Sequence, residues 1–460
     1  MDYPQIVQSD GNIDWEQAAQ KYLSIIACEN EPLQVKATLE LARLSKQAPE
    51  ATLASTIPVL VRLLGDSRPT IQAAASYALC CISRRVDGDL SSVVGAAGAI
   101  PIILSLLPSS RDWFRRTLLR CLSAVVSFDI PSRVILARIG GLEVILDLLG
   151  TCSGDMKRYL LEILSALALL REVRRVIINL GGLSFLIEAV SNGKIISRTR
   201  AAHAVGLLGI ARRVRHMLVD MGAIPALVGL LRDGDTPARL VAGNALGIVS
   251  SHVDHLTQVA QADAIPLYVE LLKGSEPLGK EIAEDVFSVL AVEEGNAILI
   301  LEHLVRILHG EDEGAKVAAV DVLWDLVCYK HTLYIVLDSG VIPILVELLR
   351  NGNGDIRAKA SGTIAQLSYE KASRNALAEA GAIPVLLDLL RGNSEELTGC
   401  TLEALINFGE DPLHRDHVSD TPSSLAVQDR LTRNPASNEH MSRSMRLMNS
   451  EQLTSEPELI

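Results

Sequence analysis

The chain of 460 residues is poor in aromatics, since 3 Trp, 8 Tyr and 5 Phe make up only 3% of it although 48% of its residues are hydrophobic. Its apolar content is therefore mostly small and aliphatic, which suits stacked helices and argues against general disorder or a collagen-like chain. No apolar stretch reaches the ~18 uninterrupted residues of a membrane helix. The nearest, Val176 to Val190, is broken by Asn179, Gly181, Gly182 and Glu188, so the sequence predicts a soluble protein with no integral membrane contact. The amino terminus has no basic patch followed by an apolar run, which argues against secretion. The seven cysteines (28, 80, 81, 121, 152, 328 and 400) are odd in number and none has the spacing of a zinc or redox pair. They read as free thiols of a reducing compartment, which predicts a cytoplasmic or nuclear location, or both.

Catalytic signatures are also missing. There is no nucleophile elbow, zinc-protease helix or glycine-rich dinucleotide turn. The segment Gly274 to Lys280 has the glycine spacing and the lysine of a phosphate-binding loop, but Glu281 stands where Ser or Thr would hold Mg²⁺. The residues before it, Leu267 to Lys273, follow a helical pattern where that loop needs a strand, so an inter-helix turn is expected. His252 and His255 with Asp254, and His414 and His417 with Asp416, have helical ligand spacing but no third and fourth partner, and read as solvated histidines. No cofactor, no metal and no enzymatic activity are expected.

What the sequence does have is an internal period. The string Gly-Ala-Ile-Pro followed by an aliphatic run returns with proline at 58, 101, 225, 266, 343 and 384, and with Glu143, Ser184 and Glu302 in the same place in divergent copies. Successive spacings are 43, 42, 41, 41, 41, 36, 41 and 41, and glycine stands three residues earlier at Gly98, Gly140, Gly181, Gly222, Gly340 and Gly381. Glycine ends one helix by accepting a left-handed conformation and proline starts the next, so each anchor predicts a helix junction. A second motif, Ala-x-x-Ala-Leu-x-x-Leu-Ala on the long helix, gives one equivalent position per copy: Leu39, Tyr77, Arg120, Glu162, His203, Asn244, Asp285, Asp321, Gly362 and Glu403. Near-copies at a fixed period predict a stacked array in which each unit buries its apolar face against the next.

The segments GAIPALVGLLRDGD, GVIPILVELLRNGNGDIRAKASGTIAQLS and GAIPVLLDLLRGNSEELTGCTLEALINF resemble armadillo repeats, over roughly residues 31 to 410. The resemblance is to plant-type armadillo proteins, some of which carry a U-box. Only about 55 residues precede the first anchor here, too few for a U-box beside a cap, so a form without one is expected. The resemblance implies an all-α, right-handed superhelical solenoid of about nine to ten three-helix repeats, with a concave groove lined by the third helices that binds extended peptides. A capping helix is expected within residues 1–30 (Ile13 to Cys28), the solenoid over 31–410, and a disordered polar tail over 411–460. The short 36-residue spacing, placed near Glu293 to Asn296, predicts a kink.

The net charge of −12 hides a split: residues 51–230 carry +9 and residues 231–420 carry −16. At 100° per residue from the register position, the recurrent alanines and leucines at −2, +2 and +5 share the core side, while −4, −3, 0 and +4 face away from it. The outward face then holds Arg116, Arg120, Arg158, Tyr159, Glu162, Arg200 and His203 in the third to fifth copies, and Glu281, Asp285, Asp321, Asp325 and Glu403 in the later ones. Asn244, with apolar Leu240 and Ile248, separates the two sets. The expectation is a groove basic toward the N-terminal half and acidic toward the C-terminal half, serving a protein-binding adaptor or scaffold whose partners are extended segments of other proteins. The basic ladder at −5 (Arg115, Lys157, Arg198, Arg239, Lys280, Lys316, Arg357) falls on the packed side and reads as scaffold, as do Arg133, Arg174, Arg215 and Arg374 ten residues before an anchor. The positive excess is spread out and lacks interleaved aromatics, which argues against nucleic acid. Position 0 carries no Trp and +4 only Asn407, which argues against the Trp-x-x-x-Asn arrays of nuclear-import adaptors. A substrate-recruiting subunit of a ubiquitin ligase assembled in trans is the alternative that the resemblance suggests.

Overall fold

A computed structural model describes residues 14–84, 90–390 and 395–419. The chain divides into two compact units, Met1–Leu230 and Leu231–Ile460. Every regular element among the described residues is a helix, and the fold is an all-α solenoid of repeated helices.

The first unit contains Trp15–Ile26 (α1), Glu31–Leu44 (α2), Glu50–Leu64 (α3), Pro69–Ser83 (α4), Leu90–Ala96 (α5), Ala99–Leu106 (α6) and Asp112–Phe128 (α7). It continues through Ile130–Arg138 (α8), Gly141–Thr151 (α9), Gly154–Leu167 (α10), Arg171–Asn179 (α11), Leu183–Ser191 (α12), Ile195–Gly209 (α13) and Arg212–Asp220 (α14), and Ala223–Asp233 (α15) begins in it. The long helices α2, α4, α7, α10 and α13 pack each on the next. A helix, α1, lies within the expected residues 1–30, and its first turn is held by the Asp14 carboxylate accepting from Gln17 N at 2.9 Å.

The second unit contains Thr236–Ser250 (α16), Val253–Gln261 (α17), Ala264–Lys273 (α18), Pro277–Leu290 (α19), Glu294–Leu308 (α20), Glu313–Leu326 (α21) and Lys330–Asp338 (α22). Val341–Asn351 (α23), Gly354–Leu367 (α24), Lys371–Glu379 (α25), Ala382–Leu390 (α26), Glu395–Glu410 (α27) and Arg415–Ser419 (α28) complete it. Here α16, α19, α21, α24 and α27 form the same ladder of long helices. Residues 411–419, expected in a polar tail, belong to the fold instead: Val418 and Asp411 are buried, and Arg374 Nε lies 3.3 Å from the Asp411 carboxylate. The remainder of the expected tail lies outside the described residues.

One position decides whether a repeat has two or three helices. The residue three before the anchor is left-handed at Gly98, Gly140, Gly181, Gly222, Gly340 and Gly381, with φ between 72° and 90°, and at Asp263, with φ 58°. Each of these breaks the chain into a short helix and a second one, and where the anchor is a proline (101, 225, 266, 343 and 384) it lies two residues inside the second helix rather than at its start. Its missing N–H is still one of the first-turn donors that has no helical partner. Ser55 and Leu299 occupy that position in the other two copies and are not left-handed, and the expected junction is absent there. A single 15-residue helix, α3 or α20, replaces the pair, and Pro58 lies inside α3. The 36-residue spacing is thus absorbed by a fused helix beginning at Glu294.

The core follows the expected side of the long helices. Leu118, Leu122 and Val125 of α7, Leu160, Leu164 and Leu167 of α10, and Ala283, Phe287 and Leu290 of α19 are all buried, each large side chain contributing about 1.5–3 kcal/mol. The arginines read as scaffold hold helix ends. Arg133 Nε donates to Val126 O at 2.8 Å, Arg215 Nε to Gly209 O at 2.9 Å and Arg374 Nη1 to Ser368 O at 2.7 Å, each satisfying carbonyls at the end of the preceding long helix. In the −5 ladder, Arg115 Nε reaches Leu107 O at 3.1 Å and Arg198 Nε reaches Val190 O at 2.8 Å.

Candidate functional site

In the first unit, a cavity of about 230 Å³ opens on the long helices. Arg120 of α7, Tyr159 and Glu162 of α10 and Arg200 of α13 line it, so four of the seven expected basic-side residues converge. Helix ends outside the helical-wheel argument complete it: Arg84 after α4, Ser127 and Phe128 closing α7, Lys194 before α13, and Ile196. Phe128 and Ile196 are 52% and 54% exposed and form an apolar rim.

Glu162, expected on an open face, is only 5% exposed. Ser123 Oγ donates to its Oε2 at 2.6 Å, and Lys194 Nζ lies 3.4 Å from its Oε1. Tyr159 is buried as well, with the Arg158 guanidinium 5.0 Å from its ring centroid. Arg200 Nη2 donates to Ser127 O at 2.7 Å, the same carbonyl that takes Arg133 Nη2 at 2.9 Å. Burial and the adjoining Arg133 charge lower the Arg200 pKa, with Glu162 opposing, yet a guanidinium remains cationic throughout the physiological range. The Arg120 guanidinium lies over Tyr77, 5.9 Å from its ring centroid, and its buried Nε has no hydrogen-bond partner.

The other three residues of that set stand apart. Arg116 and Arg158 both pair with Asp155, the latter at 3.5 Å, and His203 is exposed on α13. Burial pushes the nearby Cys80 thiol up to about 11 and holds the Cys121 thiol well above its ordinary value, so neither is a reactive thiolate.

The second unit concentrates carboxylates. Asp285 and Glu284 of α19 face Asp321 and Asp325 of α21, with Lys359 of α24 as the cation among them: its Nζ lies 2.7 Å from Asp321 Oδ1. Burial first, and then the neighbouring carboxylates, raise the Glu284 pKa; burial also raises that of Asp325, opposed by Ser288 Oγ donating to Oδ2 at 3.0 Å. Glu281 and Asn244 are exposed. Glu403 is not part of this cluster: it is 9% exposed and accepts from the Tyr369 hydroxyl, and burial raises its pKa. Asn407 is committed internally to Ser368 Oγ at 2.8 Å. Trp324, which lies off the −4, 0 and +4 positions, packs against Gly362 with Lys359 5.8 Å from its ring centroid; a Cβ on Gly362 would come within 2.7 Å of the Trp324 ring.

The near phosphate-binding string is the turn between α18 and α19, with Lys280 Nζ 3.2 Å from Gly314 O. Two of the histidines read as solvated are held by the fold. His255 is 3% exposed with Nδ1 3.2 Å from Val249 O, and His414 Nε2 lies 2.9 Å from Asn375 Oδ1. Helix ends bring backbone carbonyls and ring nitrogens together, which spacing along the chain does not register. No single helix among the described residues is long and apolar enough to cross a membrane.

No protein-family model and no curated protein matches the sequence. Among solved structures, an engineered protein matches 85% of this chain and 98% of its own length at 22% identity, with a TM-score of 0.64. A designed armadillo repeat protein matches 49% of this chain and 99% of its own at 20% identity, with a TM-score of 0.38. The first likeness is one of fold alone, and the ladders of stacked helices in this chain make that fold an all-α repeat solenoid.

Proposed function

We propose that the protein is a non-enzymatic scaffold that captures extended segments of partner proteins on its long helices, acidic segments on the first unit and basic ones on the second. The observation that carries this reading is the convergence of Arg84, Arg120 and Arg200 on a cavity with an exposed apolar rim. Charged side chains raise the encounter rate and select the sign of the partner, while Phe128 and Ile196 give an apolar anchor a place to pack. The second unit offers the complementary field through Asp285, Asp321 and Asp325.

The test is binding of the full chain to arrays of acidic and of basic peptides, with two charge-reversed variants. Arg84/Arg120/Arg200→Glu is expected to lose acidic peptides by about 100-fold and to keep basic ones, and Asp285/Asp321/Asp325→Lys to do the reverse. Variants that fold and still bind every peptide at low salt would remove the reading.

A further inference from the structure

Three arginines of the first-unit cavity form no ion pair with a carboxylate among the described residues, although Glu162 acts on Arg200 at longer range. Arg116 and Arg158 share Asp155, and Lys194 is taken by Glu162, but among the described residues no ion pair reaches Arg84, Arg120 or Arg200. Arg200 is half-buried, holds a carbonyl that it shares with Arg133, and lies beside that second guanidinium. Arg120 keeps a buried Nε with no partner. Leaving desolvated cations without counter-charge is costly, and the cost falls where a cavity is open to receive an anion.

Resting on the reading that this surface captures partner segments, we propose that the cavity receives a phosphorylated side chain, phosphoserine or phosphothreonine, of the bound segment. The lining carries four cations, Arg84, Arg120, Lys194 and Arg200, against Glu162 alone. A single carboxylate would leave most of that excess in place. A phosphate carries a charge of about −1.5 to −2 and three acceptor oxygens, so it offsets more than half of the charge of three guanidiniums and offers each of them an acceptor. Glu162 does not repel it at full strength, because Ser123 and Lys194 hold that carboxylate. The exposed rings and branches of Phe128 and Ile196 then select an apolar residue beside the phosphorylated one.

The test uses the full chain and labelled degenerate peptide libraries that differ only in a fixed central residue: phosphoserine, phosphothreonine, glutamate or serine. The phosphorylated libraries are expected to bind at least about tenfold tighter than the glutamate library, with the serine library at background. Arg120→Gln and Arg200→Gln are each expected to erase that advantage. Arg84→Gln, at an exposed helix end where folding is not at stake, is expected to reduce it about threefold, within the range of a single charge-assisted contact. Inorganic phosphate should compete. If phosphorylated and glutamate libraries bind equally and both depend on Arg120, capture of acidic segments stands and the phosphate assignment falls. Phosphopeptide binding indifferent to all three variants would place the site elsewhere and overturn the proposal. Failure of every library to bind overturns both readings.

Discussion

The two units handle concentrated charge in opposite ways. In the first, guanidiniums from separate helices stand around a cavity; in the second, Glu284, Asp285, Asp321 and Asp325 are gathered near Lys359. An arginine cannot give up its proton to relieve crowding or desolvation, so the field of the first unit is fixed across physiological pH and yields only to salt or to an anion. Carboxylates can take up protons, and burial has already moved Glu284 and Asp325 in that direction. The field of the second unit therefore depends on pH as well as on salt.

The most direct way to break this contrast is to remove Lys359, the cation paired within the acidic cluster. Lys359→Met keeps the stem over Trp324 and deletes the pair with Asp321. Lys359 holds down the raised pKa values of Glu284 and Asp325, so both rise further without it. A raised carboxylate pKa means that the folded state binds more protons than the unfolded state between the two values. Stability therefore falls as pH rises through that window. The variant is expected to lose about 1 kcal/mol at neutral pH, a figure already reduced for solvent screening, and to match the parent at a pH low enough to protonate the cluster. Thermal unfolding across pH 4 to 8 measures both.

A smaller effect of opposite sign comes from neutralising the two raised groups. Glu284→Gln with Asp325→Asn keeps size and leaves an oxygen to accept from Ser288. The double variant is expected to gain roughly 0.5 kcal/mol at neutral pH and nothing at low pH, flattening the pH profile of the parent. If the gain persists unchanged at low pH, packing rather than charge caused it.

Much of this was legible in the sequence, for reasons particular residues make plain. The period is strong because every copy must offer the same faces to its neighbours. The glycines at 98, 140, 181, 222, 340 and 381 marked real left-handed junctions, and the absence of glycine at Ser55 and Leu299 was an available signal for the fused helices α3 and α20. The helical wheel separated Arg115 and Arg198, bonded to carbonyls, from the outward face. It failed at Glu162 and Glu403, because a wheel treats each helix as if alone. Their covers, Ser123 and Tyr369, stand 39 and 34 residues away, one repeat earlier in the chain. Arg116 with Asp155, 39 residues apart, and Ser288 with Asp325, 37 apart, obey the same offset. Comparing polar positions about one repeat apart would have found these pairs. Arg84, Phe128 and Lys194 come from helix ends, whose direction no periodicity encodes.

The smallest expected effect bears on the arginines themselves. If Arg120 is kept for an anion rather than for the fold, its charge is a cost in the free protein. Arg120→Met retains an unbranched stem beside Tyr77 and removes a buried Nε that has no partner. The variant is expected to unfold at a slightly higher temperature, a gain of about 0.5 kcal/mol, while losing peptide capture, as happens when residues are held for binding at the expense of stability. Because no proton is exchanged, that gain should be the same at pH 5 and pH 8, unlike the pH-bound gain of the acidic cluster. A loss of stability at both pH values would mean that Arg120 serves packing, and the two units would then differ only in the sign of their charge.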